Sequence, residues 1–250
     1  MSTQIPAVKV PEVTLGFWII KIAATTLGET AGDAVSMSLG LGYLAATGIF
    51  AAFLAAAIVA QIKAPRFNAW LYWTAIIATT TVGTTLADFA DRSLGIGYLG
   101  GSLLLLTLLL ASLLTWKWTL GTVSIDSVSS PRSEVFYWMT IMFSQTLGTA
   151  LGDWTADSAG LGYDGGIAIF VVLLATIAAA YRWTRISHTA LFWAAFVATR
   201  PLGAVLGDFL DKPIDSGGLD LSRFGASAVL IGLILTCIAL FPQRAATVRH

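Results

Sequence analysis

Long apolar runs alternate with short polar turns along this chain, and the runs have the length of membrane-spanning helices, about 20 residues each. Eight are predicted, over residues 14–36, 42–61, 68–90, 97–116, 134–156, 163–181, 188–210 and 223–241. They are of two kinds. The first, third, fifth and seventh carry a stripe of polar residues and end near an aspartate. The others are uniformly apolar, as in Leu103 to Leu114 and Ile167 to Ala180. The polar-striped helices are therefore expected inside and the bland ones outside, against lipid.

Aligning the chain on Asp33, Asp88, Asp153 and Asp208 brings other columns into register. Five residues before each aspartate stands a glycine: Gly28, Gly83, Gly148 and Gly203. One residue before stands Gly32, Ala87, Gly152 or Gly207. Fifteen residues before stands Trp18, Trp73, Trp138 or Trp193, preceded by Phe17, Tyr72, Tyr137 or Phe192. Ten residues after it, three copies have Tyr43, Tyr98 or Tyr163, closing a Gly-x-Gly-Tyr turn. This is a fourfold internal repeat, two helices per copy. The even helix number gives every copy the same orientation. The fold expected is all-α and integral to the membrane: eight transmembrane helices in four parallel two-helix repeats.

The aspartates are spaced 55, 65 and 55 residues apart, so pairs of copies recur at 120. The extra residues lie in a Ser-, Thr- and Val-rich stretch before Arg132. The chain divides into a tail (1–13), a first half (14–116), a linker (117–133), a second half (134–241) and a tail (242–250). Approximate two-fold symmetry between the halves is expected.

Composition agrees with a membrane protein. The 250 residues are 56% hydrophobic and 11% charged, against about 25% charged in a soluble domain. No signal-peptide pattern opens the chain. The lone Cys237 excludes an internal disulfide, and His188 and His250 offer no metal or nucleophile constellation. The net charge of zero hides a dipole. Nine lysines and arginines (Lys9, Lys63, Arg66, Lys117, Arg132, Arg182, Arg185, Arg244, Arg249) fall on the side of the termini. Three (Arg92, Lys212, Arg223) fall on the aspartate side. The positive-inside rule places both termini in the cytoplasm. All acids except Glu12, Asp126 and Glu134 lie at or beyond the outer helix ends, as a cation-attracting mouth would.

Positions −8, −4 and 0 relative to each aspartate share a helix face. They hold Thr25, Glu29 and Asp33; Thr80, Thr84 and Asp88; Gln145, Thr149 and Asp153; Arg200, Ala204 and Asp208. Lys21 lies one turn below Thr25. Polar groups at this depth face protein or water, as interhelical glue or as a pathway. Glu29 and Arg200 are expected to meet. The glycines form a small-xxx-small ridge on which the inner helices approach closely. Pro201 is expected to kink or open the seventh helix. The four tryptophans read as interfacial anchors. Asp33 and Asp153, with Glu29, read as a shared metal-binding group, whereas Asp88 and Asp208, beside Asp91 and Asp211, read as local caps.

On these residues the chain, over roughly 14–241, resembles a family of bacterial multi-pass membrane proteins built from four tandem two-helix repeats with a characteristic tryptophan. That family is of unknown function, so the resemblance implies an architecture, and a bacterial cytoplasmic membrane, but no activity. A likeness to manganese or calcium exporters with a Glu-x-Gly-Asp motif does not carry over, because Glu29 is four residues from Asp33 and the other copies lack the glutamate.

Carboxylates with hydroxyls and amides are hard oxygen ligands. The leading expectation is a transporter or channel for a small cation, Mg, Mn or Ca included, with Asp33, Asp88, Asp153, Asp208, Glu29, Lys21, Arg200, Thr25, Thr84, Gln145 and Thr149 along its path. The alternatives are transport of another small polar or anionic solute and a non-transport membrane scaffold. No enzyme is expected, since no nucleophile–base pair or zinc motif is present. Neither a cofactor nor nucleic acid is expected; the partners are the lipid bilayer, the solute and a further copy of the chain in a homo-oligomer.

Overall fold

A computed structural model describes residues 8–246. The ends of the two tails, with Arg249 and His250, lie outside the described residues. Eight long helices account for most of the fold: α1 (Leu15–Asp33), α2 (Tyr43–Lys63), α3 (Ala69–Asp88), α4 (Tyr98–Leu120), α5 (Pro131–Asp153), α6 (Gly162–Trp183), α7 (His188–Asp211) and α8 (Arg223–Leu240). No strand forms among the described residues. Five helices, α2, α4, α6, α7 and α8, are long and apolar enough to cross a membrane.

The inner helices α1, α3, α5 and α7 form a closed ring in that order, with α7 returning to α1. The glycine ridge makes the closure possible. A methyl group on Gly28 would overlap Thr80, one on Gly148 would overlap Arg200, and one on Gly203 would overlap Thr25. On Gly83 it would lie 3.0 Å from the backbone of Gln145. In every case position −5 of one copy receives position −8 of the next, so a single rule closes the ring four times.

The outer helices do not cover the inner helix of their own copy. Helix α2 lies on α3, α4 on α5, α6 on α7, and α8 comes round to α1. Hydroxyl pairs mark three of these seams, Thr47 with Thr85 at 2.9 Å, Ser112 with Thr140 at 2.7 Å and Ser227 with Thr30 at 2.9 Å. Each copy thus lends its outer helix to its neighbour. The faces pointing away from the ring expose a continuous apolar surface, with Phe53, Leu104, Leu106, Val172 and Val229 among its residues.

After α1, α3 and α5 the chain makes a five-residue π turn (Ala34–Ser38, Phe89–Ser93, Trp154–Ser158). A turn with both glycines at positive φ follows, for instance Gly40 at 67° and Gly42 at 76°, where a side chain would be strained. The fourth copy has no π turn: α7 continues past Asp208 to Asp211. Pro201 does not end α7, which runs on for ten further residues after it. The kink expected there does not interrupt the helix.

Candidate functional site

The axis of the ring is built in layers of four side chains, one from each inner helix and about 6 Å apart, since four residues rise about 1.5 Å each. At the end nearer the termini is an aromatic layer. Phe17 packs on Trp73 (centroids 5.4 Å apart), Tyr72 on Trp138 (5.7 Å), Tyr137 on Trp193 (6.2 Å) and Phe192 on Trp18 (5.9 Å). The Tyr72 and Tyr137 hydroxyls hydrogen-bond at 2.6 Å.

This layer corrects the reading of the four tryptophans as interfacial anchors. Trp73, Trp138 and Trp193 are buried inside the ring, and Trp18 is half-buried. They face the neighbouring inner helix because the outer helices occupy the perimeter. The exposed tryptophans at this end are Trp70, Trp118 and Trp183. Below the aromatic layer the N-terminal segment, the linker and the C-terminal segment close the bundle. Lys9 Nζ pairs with Glu134 at 2.7 Å, Trp193 Nε1 donates to the Val123 carbonyl, and Trp73 Nε1 donates to Gln243.

Above the aromatics come Lys21, Ile76, Ile141 and Phe196, all fully buried. Lys21 Nζ donates to Thr199 Oγ1 at 3.4 Å and lies 4.2 Å from the centre of the Phe196 ring. The next layer holds Thr25, Thr80, Gln145 and Arg200, and the next Glu29, Thr84, Thr149 and Ala204. Arg200 joins them. Its Nη2 reaches Glu29 Oε2 at 3.0 Å, Thr84 Oγ1 at 2.6 Å and Thr149 Oγ1. Glu29 and Arg200 therefore meet, one layer apart and on adjacent helices.

The fourth polar layer is the aspartates, all buried. Two cations bridge them. Arg92 pairs with Asp88 (3.0 Å) and Asp153 (3.3 Å); Lys212 pairs with Asp33 (2.8 Å) and Asp208 (3.0 Å). Both cations stand four residues after the aspartate of an even copy, and each links its own aspartate to that of the following copy. The tetrad is fourfold in its carboxylates and two-fold in its counter-charges. Burial alone would lower the pKa of Lys212, but Asp208, Asp33 and Asp211 outweigh it and hold the ammonium well above its ordinary range. The tyrosines that open the outer helices serve the same layer: the Tyr43 hydroxyl lies 3.5 Å from Arg92, and Tyr98 donates to Asp157.

Two groups of carboxylates come together, each offering one oxygen per residue within 4.8 Å of the others: Glu29, Asp33 and Asp88, and Asp33, Asp208 and Asp211. Bases reach both: in the first, Glu29 pairs with Arg200, Asp33 with Lys212 and Asp88 with Arg92; the second centres on Lys212. Lys212 Nζ stands 2.8, 3.0 and 4.0 Å from its three members, and Arg223 pairs with Asp211 at 3.0 Å. The first group differs from the expected set of Asp33, Asp153 and Glu29. Asp88 takes part and Asp153 does not, although Arg92 reaches both, at 3.0 and 3.3 Å. Asp88 does not cap the π turn that follows it. Asp208 lies inside α7 and holds Lys212. Both sit in the tetrad instead.

The pairing of Arg92 and Lys212 with the tetrad was missed from the sequence, although the signal was present. Extending the same alignment four residues past the aspartate gives Met37, Arg92, Asp157 and Lys212, a cation in every second copy.

The fold and axis define a class: a closed ring of tandem two-helix repeats with one polar face per repeat turned to a common centre. The chain belongs to the family described as Repeat of Unknown Function (DUF347), whose model matches it four times, over residues 16–67, 71–122, 136–187 and 191–244. No curated protein and no solved structure matches the chain.

Proposed function

We propose that the protein is a transporter for a small divalent cation, held in passing by Glu29, Asp33 and Asp88. The observation that carries this reading is a charge imbalance in a nearly sealed place. Glu29, the four aspartates of the tetrad, Asp91 and Asp211 are seven buried carboxylates. Four bases pair with them, Arg200, Arg92, Lys212 and Arg223, and Lys21 lies below without a carboxylate partner; with every group ionised, even all five bases leave the axis two positive charges short. Uncompensated charge in a low-dielectric interior is expensive. One divalent cation supplies both charges, and three carboxylate oxygens with the Thr84 hydroxyl beside them suit Mg, Mn or Ca. The Lys212 ammonium among Asp33, Asp208 and Asp211 is a tethered cation in a neighbouring site of the same kind.

The surrounding features fit a bilayer. All eight helices cross it in this reading. Helices α1, α3 and α5 tolerate their polar residues because outer helices sheathe them. The aspartate tetrad is the outer mouth, the aromatic layer is the cytoplasmic barrier, and both termini are cytoplasmic in a bacterial inner membrane. A scaffold would have every inner polar group paired. Here Gln145, Ser144 and part of Arg200 are buried without partners.

The test is flux of Mn2+ into proteoliposomes read by an entrapped fluorescent chelator. The wild type is expected to admit Mn2+, and Asp88→Asn to reduce the rate at least tenfold. Flux no faster than in empty liposomes would overturn the reading. Orientation is checked separately: a Ser93→Cys variant is expected to react with an impermeant thiol reagent only from outside the cell.

A further inference from the structure

The layer beneath the carboxylates holds groups that cation binding leaves unused. Gln145 is fully buried, and neither its amide oxygen nor its amide nitrogen has a hydrogen-bond partner. Arg200 is fully buried, and its Nε and Nη1 are likewise without acceptors, because all of its contacts run through Nη2. One layer below, Lys21 is fully buried and holds only the long hydrogen bond to Thr199. Among the described residues no carboxylate pairs with Lys21. An unpaired buried polar group costs on the order of 1–3 kcal/mol, more for a charged one. Two of them in one layer, with a lysine holding one long hydrogen bond in the layer below, ask for a common partner. That partner must accept hydrogen bonds and carry negative charge.

We infer that the axis holds a second site, for a small oxyanion of the carboxylate class, formed by Arg200, Gln145 and Lys21, and that anion and cation bind cooperatively. Guanidinium and amide N–H groups suit a planar oxyanion, and charge-assisted bonds of this kind are the strong ones. Lys21 supplies further donors from below. The Gln145 oxygen remains free to accept from a hydroxyl on the same ligand.

The cooperativity follows from the Glu29–Arg200 pair. A cation that takes Glu29 as a ligand draws it away from Arg200 and leaves a buried guanidinium uncompensated. An anion on Arg200 compensates it and frees Glu29 for the cation. Each ligand thus removes what the other must otherwise break, and linkage makes the effect reciprocal. The chain would then carry an ion pair of solutes rather than a lone metal. The linkage rests on the cation reading above; the anion site rests on its own unpartnered groups.

The experiment is calorimetry on the purified full chain in nanodiscs, with Mn2+ titrated in sodium formate and, separately, in equal sodium gluconate, a bulkier carboxylate, each Kd expressed in free Mn2+ after correction for complexation by the salt. Formate is expected to tighten the Mn2+ Kd at least about fivefold, the lower end of usual coupling. The reverse titration is expected to show Mn2+ tightening formate by the same factor. Gln145→Leu is expected to bring the formate-to-gluconate ratio close to one. Lys21→Met is expected to do the same and stands in if the first variant does not fold. Equal Mn2+ affinity in both salts would overturn the linkage and leave the cation reading standing. A ratio unchanged in both variants would overturn the site. Absence of Mn2+ binding in either salt would sink the cation reading and the linkage with it.

Discussion

Two regions of the same axis are built on opposite rules. The aspartate tetrad uses one residue four times, and only the counter-charges Arg92 and Lys212 lower its symmetry to two-fold. The layers beneath it use residues that occur once: Glu29, Arg200, Gln145 and Lys21 have no equivalents in the other copies. The repeated layer belongs to the frame, whose glycine seams make the same contact at each step. The unique layers are where four copies of one sequence become a site with a direction and a chemistry. In a ring of identical repeats every layer would carry one residue four times. Divergence at three layers puts an acid, a base, an amide and a lysine on one axis without disturbing the glycine seams that hold the ring.

Substitutions can break or sharpen this contrast. The largest effect is expected in the unique layers. Arg200→Gln leaves Glu29 buried and unpaired, and a broken buried pair typically costs about 3–5 kcal/mol. The double variant with Glu29→Gln is expected to recover part of that loss, read as thermal unfolding in detergent; strictly additive losses would argue against the contact. A smaller effect is expected at the seams. Gly148→Leu drives a side chain into Arg200, and overpacking costs about 1–3 kcal/mol. Leu104→Ala on the exposed face of α4 is expected to stay within about 0.5 kcal/mol. In the repeated layer, Arg92→Gln and Lys212→Gln are expected to weaken stability by similar amounts, about 1.5–3 kcal/mol for charged hydrogen bonds. Very different losses would show that the two-fold relation of the tetrad is only geometric. A smaller effect is expected at the outer seam, where Thr47→Val removes one hydroxyl pair worth about 1 kcal/mol.

Much of this arrangement was legible in the sequence. The offsets of −15, −5 and 0 gave the repeat, the inner position of the polar-striped helices and the close glycine seams, because each is a local property of one helix face. The meeting of Glu29 and Arg200 was legible because repeat coordinates put both on the inward stripe. Two things were not. Alignment compares the copies with one another and carries no information on which neighbour an outer helix covers; the same placement arises after the π turns of the first three copies and without one in the fourth. The tryptophans were misread for the same reason. Their column marks one end of the helix correctly, but facing lipid or facing the next copy is a question of packing. The grouping of Asp88, and not Asp153, with Glu29 and Asp33 is a matter of side-chain placement within the ring, and spacing alone does not contain that.

The lending of each outer helix to the following copy has a consequence for how the chain is made. Helix α1 leaves the ribosome first, yet its cover is α8, which leaves last. The oldest inner segment, carrying Lys21 and Glu29, therefore waits through the synthesis of the whole chain before its outer flank is covered. The Pro11–Ala245 pairing, which joins the two tail segments, forms only after that. Assembly ends where it began, and a nascent chain stalled anywhere before residue 223 keeps α1, with Lys21, Glu29 and Asp33, without its cover.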